Sequence, residues 1–139
     1  MLGGTTHLDM NLTHALEIQP RLPVSALRAS YRFYHDVLGF VDVHGEPFAS
    51  DDFVMLKRGS IGLQLVTANA DHPAGRMTVW IQVEDALAEH DRVKGLASIE
   101  WGPEVYWYDC REFAVLDPDG HRIIFSSPTD EPPTCKEEV

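Results

Sequence analysis

The feature that most constrains the fold of this chain is an internal repeat. Phe53–Leu56 reads FVML and Phe113–Leu116 reads FAVL, an offset of 60 positions. A glycine-bearing turn follows each, Arg58-Gly59-Ser60 in the first case and Asp117-Pro118-Asp119-Gly120 in the second. Val24, ahead of the first helical stretch, is answered by Val83 ahead of the second, at an offset of 59. A four-residue match carries little alone. It gains force because the same order of elements surrounds both copies: strand, helix, three strands. The expected fold class is α+β, two βαβββ modules of about 15–68 and 77–127. Each forms a curved half-barrel sheet with its helix on one face and a concave cavity on the other.

The local signals agree with this order. Ala15–Val24 begins extended, and Pro20 and Pro23 remove ladder donors, which predicts an edge or bent strand. Ser25 is placed to cap a helix in which Leu27, Tyr31, Tyr34 and Leu38 recur at helical spacing until Gly39. Short strands follow at Phe40–Val43, Asp52–Lys57 and Ile61–Thr67. In the second half Met77–Val83 reads as a strand and Asp85 as the cap of a helix through Leu87, His90 and Val93, ended by Gly95. Ser98–Glu100, Val105–Tyr108, Glu112–Leu116 and Arg122–Ser126 complete the set, the last two joined by a hairpin at Asp117–Gly120.

A length of 139 residues fits one domain better than two separate cores. Residues 1–14 read as a flexible leader. Residues 128–139, with three prolines and four acidic side chains, read as a mobile acidic tail. The twenty-two acidic and eleven basic residues give a net charge of −11, which repels phosphate backbones and anionic bilayers and argues against nucleic-acid and membrane partners. The longest apolar runs are short, as at Ile123–Phe125, so the expected location is cytoplasmic. Cys110 and Cys135 make no disulfide framework and are expected to be reduced.

The segments RLPVSALRASYRFYHDVLGF (Arg21–Phe40) and REFAVLDPDGHRIIF (Arg111–Phe125) resemble the vicinal oxygen chelate superfamily, which includes glyoxalases, bleomycin-resistance proteins and extradiol dioxygenases. The resemblance spans residues 15–127. It implies a fold and not a reaction, because both segments belong to the scaffold. In metal-dependent members four side chains, usually His, Gln or Glu, converge from the first and last strands of each half. The same placement here gives Gln19, Gln64, Thr78 and Ile124. Glutamine ligates only through a neutral amide oxygen, threonine is a poor ligand and isoleucine has no donor, so no metal and no cofactor is expected at these degenerate positions. The seven histidines show no metal-type pair on one helix face, and Cys110 has no identifiable base beside it.

A pocket of this kind without a metal resembles most the bleomycin-resistance proteins, which bind and sequester a drug unaltered. The resemblance implies a homodimer that sequesters an aromatic or cationic antibiotic-like ligand. Strand alternation sets Thr78, Trp80 and Gln82 opposite the helix-facing Val79, Ile81 and Val83, so Trp80 lines the cavity. Trp101, Tyr106, Trp107 and Tyr108 offer flat surfaces for stacking, or close the sheet or a dimer interface. Phe113 and Val115 face the helix, which turns Glu112 into the concavity. There it could pair with a ligand cation, or with Arg111 or Arg122. Asp51 and Asp52, beside Phe48 and Phe53, would make the cavity mouth acidic and aromatic, or be solvated turn residues. The expected ligand set is thus Phe48, Asp52, Trp80, Trp101, Trp107, Tyr108 and Glu112. The alternatives are a metal-dependent lyase, isomerase or dioxygenase of the same superfamily, and a metal-free enzyme with Glu112 as base.

Overall fold

The computed structural model describes residues 11–45 and 50–135. The first half comprises β1 (Arg21–Val24), helix α1 (Leu27–Arg32) with a π-helical turn (Phe33–Val37), β2 (Val41–Asp42), β3 (Phe53–Arg58) and β4 (Ile61–Thr67). The second comprises β5 (Thr78–Gln82), α2 (Ala86–Val93), β6 (Ser98–Tyr106), β7 (Cys110–Leu116) and β8 (Arg122–Pro128). The sheets have the same topology, β1-β4-β3-β2 and β5-β8-β7-β6, and in each the first and last strands of the module are parallel neighbours. This is the expected α+β fold of two βαβββ modules. The sheets are open, not closed into a barrel.

The faces follow from strand alternation. In the first sheet Leu22, Val24, Val54, Leu56, Leu63 and Leu65 turn to the helix side, and in the second Ile81, Phe113, Val115, Ile123 and Phe125 do so. With Leu27, Tyr31, Tyr34 and Leu38 of the first helix and Ala86 and Val93 of the second, they make one core shared by both modules. Each such large apolar side chain contributes about 1.5–3 kcal/mol on full burial.

Polar side chains join the modules. Buried Asp117, opening the β7–β8 hairpin, accepts the Tyr34 hydroxyl at 2.7 Å and the backbone N–H groups of Asp119 and His121 at 2.9 and 2.8 Å. Burial, and then the Asp117 charge, push the Tyr34 phenol well above its ordinary pKa. His121 Nδ1 accepts the Met77 N–H at 3.0 Å, which leaves Nε2 to donate to the Pro23 carbonyl at 2.7 Å. On another side of the core Glu89 of α2 takes both arms of Arg58, at 2.8 and 3.0 Å, and Arg92 at 2.7 Å. These arginines also donate to Leu38 and Val37 carbonyls, so they satisfy acceptors at the end of the first helix.

Three local expectations change. Only Arg21–Val24 of the proposed first strand is paired as a strand. Ser25 does not cap α1: Ala26 holds that position without a side-chain cap, and Ser25 instead donates its backbone N–H to Asp119 at 3.0 Å. The two strands predicted at Ser98–Glu100 and Val105–Tyr108 are one strand with register shifts between Ile99 and Glu104. Residues 129–135 run back beside β6. The N–H of Thr134 donates to the Val105 carbonyl at 2.9 Å, and Arg111 pairs with Glu131.

Candidate functional site

The site is built on the open face of the second sheet. Cross-strand pairing aligns Trp80 with Ile124 and Ala114, and Gln82 with Ser126 and Glu112. Trp101 stands opposite Ala114, and Tyr106 opposite Cys110. Gly102 makes the Trp101 bend possible. Its φ is +88°, and a Cβ there would lie 2.5 Å from the Glu112 carbonyl oxygen, so no side chain fits without displacing β7.

Glu112 is the centre of the arrangement. It is only 2% exposed. Trp80 Nε1 donates to Oε2 at 2.8 Å and the Tyr108 hydroxyl to Oε1 at 2.7 Å. Burial, and then the hydrogen bond to Glu112, raise the Tyr108 phenol far above its usual pKa, so it stays a donor at neutral pH. Neither arginine considered as an internal partner serves Glu112, because Arg111 pairs with Glu131 and Arg122 with Glu100.

An aromatic strip extends from this carboxylate. The Tyr106 and Tyr108 rings are stacked, with centroids 5.7 Å apart and planes 8° from parallel. Trp101 meets Tyr106 edge-on at 5.9 Å, and Trp107 meets Tyr108 edge-on at 5.4 Å. Trp107 and Tyr108 are exposed at the hairpin tip. The strip therefore offers ring faces and edges beside a desolvated negative charge, a surface suited to flat, electron-poor or cationic groups.

Of the residues expected to bind ligand, Trp80, Trp101, Trp107, Tyr108 and Glu112 form this connected set. Asp52 lies elsewhere, exposed at the start of β3, and Asp51 is occupied by an ion pair with Arg28 at 2.8 Å. Phe48 falls outside the described residues. Two features escaped the sequence reading. Ser126 lies on the same face as Glu112, a position the alternation from Ile124 could have given. A cavity of about 360 Å³ beside the β5 edge is bordered by Trp80, Ile18, Phe40, Leu63 and Val79, and no single stretch of sequence signals it.

The four positions of the family's metal ligands do not make a donor set for a divalent ion. The Gln19 and Gln64 carboxamides hydrogen-bond to each other at 3.0 Å, and Arg21 Nε donates to Gln64 Oε1 at 2.7 Å. A guanidinium thus already holds an amide oxygen that a metal would need, and repels a cation there. Ile124 brings no donor, and Thr78 pairs across to Arg122, itself positively charged. Among the described residues no group of three or more His, Cys, Asp or Glu converges as for a metal.

The sequence profile described as "Glyoxalase/Bleomycin resistance protein/Dioxygenase superfamily" matches residues 11–125. A bleomycin resistance protein of Geobacillus stearothermophilus is 33% identical over 129 residues, spanning 79% of this chain and 95% of that protein. The bleomycin-binding protein of Streptomyces verticillus, solved with copper(II)-bleomycin, superposes with a TM-score of 0.68 at 27% identity over 86% of this chain and all of that one. An antibiotic-binding protein from Streptomyces sp. CB03234 superposes with a TM-score of 0.70 at 22% identity, over 87% of this chain and all of that one. With the profile covering most of the chain and the two-module topology in place, the chain belongs to the glyoxalase/bleomycin resistance protein/dioxygenase superfamily.

Proposed function

We propose that the protein binds and sequesters an aromatic, antibiotic-like small molecule on the open face of the second sheet, without a metal and without altering the ligand. The single observation that carries this reading is the continuous strip from Trp101 through Tyr106 and Tyr108 to buried Glu112. It offers stacking area beside one carboxylate. Similarity to bleomycin-resistance relatives supports the choice of bleomycin as the first ligand to test. The unsuitable donor set at Gln19, Gln64, Thr78 and Ile124 favours binding over metal-dependent lyase, isomerase or dioxygenase chemistry.

The same reading makes the protein a homodimer. Leu16 and Ile18 are about nine-tenths exposed in the extended segment before β1. Such apolar residues beside an open cavity and exposed aromatic side chains suit coverage by a second copy. We place this dimer in the cytoplasm; among the described residues no helix is long and apolar enough to cross a membrane.

Titration with bleomycin tests the binding claim. Saturable quenching of tryptophan emission is expected, and Trp101→Ala should weaken binding several-fold, since an aromatic contact is worth about 0.5–1.5 kcal/mol beyond area burial. A flat titration at drug concentrations up to the millimolar range would reject bleomycin as a ligand.

A further inference from the structure

Glu112 and Trp80 stand in an unusual relation. Trp80 is on β5 and Glu112 on β7, with β8 between them. Strands are about 4.8 Å apart, so the indole must lie across β8 for its Nε1 to come within 2.8 Å of Oε2. This explains why Glu112 and Ser126 are buried on an open sheet face while the indole covering them is half exposed. The Ser126 hydroxyl, on the same face and directly opposite Glu112, has no hydrogen-bond partner among the described residues although it is wholly buried.

The chemistry beneath this cover is incomplete. A carboxylate offers about four acceptor sites, and among the described residues two are filled, both by neutral donors. No ion pair involves Glu112 among the described residues. A charged N–H donor binds a carboxylate about twice as strongly as a neutral one. Space for the indole to leave is adjacent, because Trp80 itself borders the apolar cavity of about 360 Å³.

We propose that Glu112 and the Ser126 hydroxyl form a recognition site for a cationic N–H group of the ligand, an amidinium, guanidinium or ammonium, and that Trp80 is its displaceable cover. This inference rests on the ligand-binding reading above and names the chemical group that reading leaves open. The incoming cation replaces the indole N–H on Oε2 and gives Ser126 Oγ a donor, and the indole turns toward the apolar cavity. Trp80 is then a competitor for the carboxylate rather than a platform for the ligand.

Benzamidine and its neutral isostere benzamide test this by calorimetric titration. The wild-type protein should bind benzamidine saturably and benzamide at least tenfold more weakly. Glu112→Gln should reduce benzamidine to the benzamide level, and Ser126→Ala should weaken it several-fold. Trp80→Phe keeps an aromatic cover but removes the competing donor, and should bind benzamidine several-fold tighter. Equal binding of the two compounds by the wild-type protein, which requires no variant to fold, would overturn the proposal. So would a Trp80→Phe variant weakened as much as Glu112→Gln. Bleomycin binding without benzamidine binding would sink this inference alone; absence of both would remove the underlying reading as well.

Discussion

Glu112 shows how much of a site one strand position decides. Alternation along β7 turns Phe113 and Val115 into the core, and the same rule turns Glu112 to the open face, where the structure finds it. What alternation does not give is the partner. Arg111 and Arg122 are near in sequence and opposite in charge, yet Arg111 points to the other face and Arg122 lies four residues along β8 from Ser126. The partners are instead two aromatic donors, one from a strand not adjacent to β7. Gly102 is the residue on which this geometry leans most. Gly102→Ala should destabilise the protein by about 1–3 kcal/mol through a positive φ and the clash with β7. Chemical denaturation checks this; an unchanged midpoint would mean that the β6 bend relaxes freely.

The elements were legible in existence and order, and less so in phase. The FVML and FAVL repeat locates the third strand of each module, β3 and β7, correctly. Its offset nevertheless pairs residues of opposite orientation: Val54 and Leu56 face the core in β3, whereas Phe113 and Val115 do so in β7. A strand has a period of two, so a shift by one residue exchanges the faces, and an apolar run such as FAVL satisfies either phase. The helices were found by spacing, but the helix starts one residue later than the Ser25 cap implied, and Asp119 of the distant hairpin instead accepts the Ser25 backbone N–H. Long-range polar contacts of this kind leave no local signature. Glu89 is the clearest case, invisible as an ordinary helix glutamate and yet the anchor for Arg58 and Arg92. Burial opposes its ionisation, but the hydrogen bonds and charges of these arginines outweigh it and hold the carboxyl below its ordinary pKa. A depressed folded-state value stabilises the protein above the unfolded carboxyl pKa of about 4.3, and that stabilisation is lost as pH falls through the folded value. Glu89→Gln should therefore cost about 2 kcal/mol near pH 7 and flatten the acid limb of the stability profile below pH 4. A variant with the wild-type acid limb would show that the cluster contributes nothing to acid sensitivity.

At the scale of the molecule, two open sheets share one core and leave their other faces uncovered. The net charge of −11 gives these faces a field that favours cationic over anionic ligands. The proposed homodimer belongs here: sedimentation equilibrium at micromolar concentration should report about twice the 15.6 kDa chain mass, and a purely monomeric profile would contradict it. The proposed function has the protein retain its ligand without metal chemistry. Calorimetric titration of chelator-treated protein with bleomycin, followed by mass analysis of the recovered drug, tests it most directly. Saturable binding at one drug per chain is expected, unaffected by chelation, with the drug mass unchanged. Binding that disappears on chelation and returns with a divalent metal, or a drug recovered with altered mass, would contradict it.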